Sequence, residues 1–138
     1  MSSDTLTIPS TASRVVTVGA YDARSFSYAD FSGRGPLTGE SASAVKPDLV
    51  APGVNVSTIS VGGSMMQFSG TSFSTPFVTG SAALLMEWGI VRGNDSYLYG
   101  EKVKAYLRRG AKPMPGFEEY PNEAVGYGRL CLAESIPD

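Results

Sequence analysis

The residues best suited to chemistry stand together in Gly70-Thr71-Ser72-Phe73-Ser74-Thr75-Pro76, where an extended pattern gives way to a helical one. A serine at a helix start lies beside unpaired backbone N–H groups and the positive end of the helix dipole. That setting stabilises negative charge on an attacked carbonyl oxygen. Gly70 would let a substrate backbone approach closely. The same residues also fit ordinary capping, because Thr71 and Ser72 are both good N-cap types. The nucleophile elbow Gly-x-Ser-x-Gly is not met, since Ser74 stands where its second glycine would be, so the α/β-hydrolase fold is disfavoured.

The rest of the composition narrows the chemistry. The 138 residues include no histidine, so the chain by itself cannot complete a Ser-His-Asp or Cys-His site and lacks the commonest metal ligand. The single cysteine, Cys131, cannot form an internal disulfide or a Cys-rich zinc site, and reads as a buried, inert thiol. A net charge of −2 supplies no electrostatic footprint for nucleic acid. No apolar run reaches the roughly 18 residues of a membrane-spanning helix. Met1-Ser2-Ser3-Asp4 lacks the basic and apolar regions of a signal peptide. The expectation is a chain not exported under its own address, or one whose true start has been removed. Asp48, following Pro47 at the head of an apolar run, is expected to accept backbone hydrogen bonds or help a weak cation site rather than do acid–base work.

The elements that would position the serine can be read from periodicity. Residues 1–13 read as a loop. Val15 to Ala20 is β-branched and apolar at nearly every position, a strand covered on both faces in a parallel sheet flanked by helices. Tyr21 to Gly39 is loop-like around Ser32-Gly33-Arg34-Gly35-Pro36. Asp48 to Ala51 is a second short buried strand, stopped by Pro52-Gly53. Val54 to Ser60 alternates as a half-exposed strand, Gly62-Gly63 marks a turn, and Met65 to Phe68 is a last short strand. Beyond Gly70, Phe73, Phe77, Val78, Ala82, Leu84, Leu85 and Trp88 cover most of a helical wheel, which predicts a helix buried all round. Pro76 is tolerable near its opening turn. A second helix would be capped by Asp95 or Ser96, face inward through Val103 and Leu107, and end at Arg108-Arg109-Gly110. Pro113 to Pro121 is loop, and Leu130, Leu132 and Ile136 support a short packed element.

Gly70-Thr71-Ser72 with Pro76 and Val78 to Leu84 resembles the nucleophile segment of subtilisin-like serine proteases. Val15 to Asp22, Phe31 to Pro36, and Lys46 to Gly53 resemble that family's preceding segments in the same order. Gly126 to Leu130 resembles the segment opening its last helix. Thr7 to Ala12 and Leu85 to Ile90 further resemble the subgroup that includes clostridial spore-germination subtilases. The resemblance implies an α/β fold: the C-terminal part, residues 1–138, of one three-layer peptidase domain with a mainly parallel sheet and a buried central helix starting near Ser72. It implies Ser72 as the acylating nucleophile with its own N–H as an oxyanion donor, and Thr71 as support for that hole. Phe68, Ser69 and Gly70 would bind substrate backbone, and Thr7, Ile8 and Pro9 would lie near the pocket wall for the residue before the cut. Phe77 stands where the family often has a non-catalytic histidine.

The departure from the family is an omission. Its catalytic Asp and His and its oxyanion Asn precede the serine in the chain, and none stands at a matching place here; Asn55, Asn94 and Asn122 lie in other segments. The expectation is therefore part of a subtilisin-like endopeptidase, inactive alone, whose parent takes peptide or protein substrates. Its partner would be the missing N-terminal portion, with self-association through exposed edges as a further expectation. The alternatives are a non-catalytic relative that binds or regulates, and a stand-alone interaction domain. No cofactor or metal is implied in this chain, whereas calcium is compatible with the full-length parent. No nucleic-acid or membrane partner is implied. Family habit places such parents outside the cell, on its surface or on spores.

Overall fold

The computed structural model describes residues 5–35 and 45–137. Pro36, the remainder of the expected loop to Gly39, residues 1–4 and residue 138 lie outside the described residues.

Apolar β-branched runs build the centre. β1 (Val18–Asp22) lies between β2 (Ser27–Tyr28) and β3 (Leu49–Pro52) in one sheet. β1 and β3 run parallel, with Val18 opposite Leu49 and Tyr21 opposite Pro52. β2 pairs antiparallel, Tyr21 opposite Tyr28, and is a correction to the loop expected from Tyr21 onward. β1 starts three residues later than the apolar run. The carbonyl of Val15 is taken by the ammonium groups of Lys46 and Lys104 at 2.7 and 2.8 Å, so it is not free for a strand partner. Residues 128–130 extend the parallel pairing, the Val50 N–H donating to Gly128 O and the Leu130 N–H to Val50 O.

Alternation along β3 sends side chains to two cores. Leu49 and Ala51 join Val78, Leu85, Leu98, Val103 and Leu107 beneath the helices. Val50 and Tyr21 point the other way, against Met114, Ala124 and Val125, with Phe117 and Tyr120 packed beside them. The second face is thus covered by irregular chain, where the sequence pattern suggested helices. β4 (Val56–Ile59) and β5 (Met65–Phe68) form a separate antiparallel hairpin turning at Gly62-Gly63, as expected.

Helix α1 (Thr71–Met86) starts where the pattern placed it and runs on through a π turn at Glu87–Val91. Its burial is a correction. Ser74, Val78, Ser81 and Leu85 form the buried stripe, whereas Phe77 is 42% and Leu84 53% exposed. Among the described residues that second face is only partly covered. α2 (Glu101–Arg109) buries Val103 and Leu107 and is followed by α3 (Leu132–Ser135). Neither Asp95 nor Ser96 caps α2; Gly100 does, without a side-chain bond. Asp95 instead receives the Lys102 ammonium, the Tyr106 hydroxyl and the Tyr97 N–H, with the Lys102 bond foremost in holding its carboxyl below the usual range. Cys131, expected to be buried, is half-buried just before α3.

One ionic centre ties these parts together. Asp48 is fully buried at the head of β3. Its carboxylate accepts the Thr17 N–H at 2.6 Å, the Lys46 ammonium at 2.8 Å and the Arg108 guanidinium through Nε at 2.9 Å and Nη2, with Lys104 Nζ 3.1 Å away. Burial alone would raise its pKa. The hydrogen bonds from Lys46, Thr17 and Arg108 outweigh burial and hold it below the ordinary carboxylate value. Because the native pKa is depressed, the stabilisation is present above the ordinary carboxylate range and is lost as pH falls through and below it. Asp48→Asn should cost about 3–5 kcal/mol by leaving buried cations uncompensated, and should flatten the acid limb of the stability profile; urea denaturation between neutral pH and pH about 3 measures both.

Candidate active site

The hairpin delivers the chain to α1 through a short, tightly held turn. Phe68 stacks on Phe73 with ring centroids 5.3 Å apart and an interplanar angle of 10°. Ser69 Oγ accepts the Asn55 N–H at 2.9 Å. The Gly70 N–H donates to Gly53 O at 2.8 Å, and the Gly53 N–H donates to Tyr21 O at 3.0 Å. The turn therefore hangs from the end of β3 and, through it, from β1. Gly53 is required by contact: a Cβ there would overlap Ser74 Oγ and stand 2.6 Å from the Ala20 Cβ. Gly70 sits at φ 149°, a region that favours glycine, and its carbonyl accepts the Phe73 N–H at 3.0 Å.

That arrangement removes Thr71 and Ser72 from the capping role. Gly70 occupies the cap position, and no side chain makes a cap hydrogen bond. Thr71 and Ser72 are the first two residues of the helix. Their N–H groups have no backbone partner among the described residues. Thr71 is half-buried, and its carbonyl accepts the Thr75 hydroxyl at 3.1 Å. The Ser72 side chain is exposed, and among the described residues its hydroxyl bonds to nothing. Pro76, which donates no N–H, leaves the Ser72 carbonyl without its usual intrahelical partner while the helix continues through it. The result is a free hydroxyl beside free amides at the positive end of a 16-residue helix.

Ser72 opens onto a cleft of about 240 Å³ lined also by Pro9, Ser10, Val16, Thr71 and Thr75. Thr7 lines a neighbouring cleft of about 230 Å³ with Thr71, Phe31 and Gly33. The structure thus brings Thr7 and Pro9 to adjoining clefts that Thr71 lines in common, Pro9 to the one that Ser72 also lines. Ile8, at 89% exposure, lines neither cleft. On the opposite side, Phe73, Pro76 and Phe77 face Val56 and Thr58 across an apolar cleft of about 280 Å³. Phe68, Ser69 and Gly70 lie between hairpin and helix and do not line the Ser72 cleft. Among the described residues no ionisable side chain lines that cleft, and no group of three or more His, Cys, Asp or Glu side chains converges to hold a metal ion.

Sequence reasoning missed two residues here. Gly53 read as a strand terminator, although its carbonyl positions Gly70. Ser74 read as part of the motif only, but its hydroxyl is fully buried without a hydrogen-bond partner. Pro52-Gly53 carried a stop signal that concealed the first role, and no local pattern exposes the second.

A parallel strand pair leading through a hairpin and a glycine turn into a serine-led helix defines an α/β scaffold. The chain belongs to the subtilase family, whose model matches residues 1–128. It is similar to Serine protease AprX of Bacillus subtilis (strain 168), 30% identical over 98% of this chain and 32% of that protein. Proteinase R of Parengyodontium album is 36% identical over 66% of this chain and 21% of its own length. The solved Clostridium perfringens CspB protease superposes with a TM-score of 0.88 at 45% identity, covering 95% of this chain and 27% of that one. The prenylagaramide maturation protease PagA gives 0.74 at 31% identity, over 94% and 44%. The chain therefore spans about a third of AprX and about a quarter of CspB. The expected family, its clostridial likeness and the fold class are all met.

Removing the orphaned hydroxyl by Ser74→Ala should leave stability unchanged or raise it by about 1 kcal/mol. Gly53→Ala should destabilise the chain by about 1–3 kcal/mol through overpacking. Paired urea melts of the two variants give both values.

Proposed function

We propose that this chain is the C-terminal portion of a subtilisin-like serine endopeptidase domain and that Ser72 is its acylating nucleophile. The observation that carries the reading is the free Ser72 hydroxyl, relieved of capping by Gly70 and set beside unpaired helix N–H groups. In the assembled site the Ser72 hydroxyl oxygen adds to the peptide carbonyl carbon while a general base takes its proton. The carbonyl oxygen becomes an oxyanion that the Ser72 N–H receives, with Thr71 supporting that hole. Collapse breaks the C–N bond, the amine leaves with the proton, and water then releases the acyl group from Ser72. Phe68, Ser69 and Gly70 would hold the substrate backbone, and Thr7 and Pro9, with Ile8 at the rim, the residue before the cut.

The base, its orienting carboxylate and the oxyanion asparagine must come from the remaining portion of the domain. With no histidine in 138 residues and, among the described residues, no ionisable group lining the cleft, the chain alone is inactive. In subtilisin, losing the serine or histidine lowers turnover by about 10⁶. The exposed faces of Phe77 and Leu84, with Met65 at 66% exposure on the hairpin, support the same reading. An apolar surface of this kind suits coverage by the rest of the domain or by a second copy.

A fluorophosphonate should label Ser72, detected by intact mass, only when the chain is mixed with an N-terminal segment supplying Asp, His and Asn. Rapid labelling of the lone chain would reveal another base and overturn the incomplete-site reading. A folded mixture that never labels would favour a non-catalytic relative. On a sizing column the lone chain should elute as a dimer or larger species and shift to a one-to-one complex with that segment; a monodisperse monomer would contradict the exposed-face argument.

A further inference from the structure

The Asp48 centre holds more positive charge than it neutralises. Lys46, Lys104 and Arg108 surround a single carboxylate, with side-chain exposures of 5%, 7% and 17%. Three cations against one anion leave an excess of two charges in a largely dry interior. The carboxylate is saturated by its existing donors. Among the described residues no second carboxylate pairs with any of the three cations. Buried charge of one sign is unfavourable unless something compensates it.

The centre reaches the surface at one place. Lys104 and Arg108 line a cleft of about 280 Å³ together with Ser13, Glu101 and Ala105. Lys104 spends its three N–H donors on Ser13 O, Val15 O and Asp48, so it contributes charge rather than hydrogen bonds. Arg108 is different. Its Nε and Nη2 engage Asp48, and its plane lies over the Tyr127 ring at 4.7 Å. The guanidinium is thus held in place, while Nη1 has no partner among the described residues. A fixed fork with free donors, backed by surplus positive charge, is the arrangement that receives an oxyanion. Glu101 stands on the same cleft and opposes entry.

We propose that this cleft is a binding site for a small oxyanion of the phosphate or carboxylate type, received by Arg108 Nη1 and the Ser13 hydroxyl in the field of Lys104 and Lys46. It is separate from the Ser72 cleft and shares no lining residue with it. A dianion matches the excess charge, so phosphate should bind more tightly than acetate.

Isothermal titration and thermal melting of the 138-residue chain, with inorganic phosphate, acetate and chloride compared at constant ionic strength, test this. Phosphate should bind saturably at one site and raise the melting temperature, acetate should do so more weakly, and chloride should have no saturable effect. Glu101→Gln, on the exposed side of α2, should tighten phosphate binding about threefold by removing one nearby like charge. Ala105→Glu should place a carboxylate in the cleft, stabilise the chain in buffer and abolish the phosphate response. Equal effects of phosphate and chloride would mean screening only and would overturn the site. Phosphate binding unchanged in both variants would place any binding elsewhere and would also overturn it.

Discussion

A single buried carboxylate governs the geometry of this chain. Asp48 gathers the Thr17 amide ahead of β1, Lys46 just before β3, and Lys104 and Arg108 from α2. Its own carbonyl receives the Tyr127 N–H, which aligns residues 128–130 along β3. Taking such a charge from water is expensive and is repaid only by saturating contacts. The cluster is therefore better understood as a device that fixes one arrangement of strands and helix than as a large source of stability. Hydrophobic burial of Leu49, Val50 and Leu85 on either side supplies the larger driving force.

The consequence reaches Ser72 through β3. Four residues after Leu49 the chain arrives at Gly53, whose carbonyl holds the Gly70 amide and whose missing side chain admits Ser74 and Ala20. Gly70 then takes over the cap position, and Ser72 enters the helix with its hydroxyl uncommitted. Strand end, glycine turn and helix start form one connected backbone path. The subtilase family model covers that path, and this chain spans a third or less of the length of AprX and CspB.

Much of this was legible in the sequence, in the places where local pattern and tertiary demand agree. The alternation in Val56–Ile59, the bounds of Met65–Phe68 and the helix start after Gly70 are local signals, and the structure follows them. The Asp48 centre was half legible. Backbone acceptance at Asp48 was expected, but its partners Thr17 and Arg108 lie 31 and 60 residues away, and no periodicity reports such a pairing. Arg108 read as a basic last turn of α2, which is true of its position and silent about its partner. Asp95 looked like a cap because its type suits one, yet Lys102 and Tyr106 claim its carboxylate. The wheel of α1 implied burial all round; among the described residues only the stripe through Val78 and Leu85 is buried. Of the candidate site, the Gly70-Thr71-Ser72 turn was readable from residue types, whereas the part played by Gly53 required the fold.

Amide hydrogen exchange followed as the pH is lowered below the ordinary carboxylate range tests most directly whether the carboxylate and the Gly70-Thr71-Ser72 turn form one unit. Protection of the Thr17 amide, bonded to Asp48, and of the Gly70 amide, bonded to Gly53, should be lost together as Asp48 takes up its proton. Loss at Thr17 while Gly70 stays protected would contradict the account, because the serine-bearing turn would then be held independently of the buried charge.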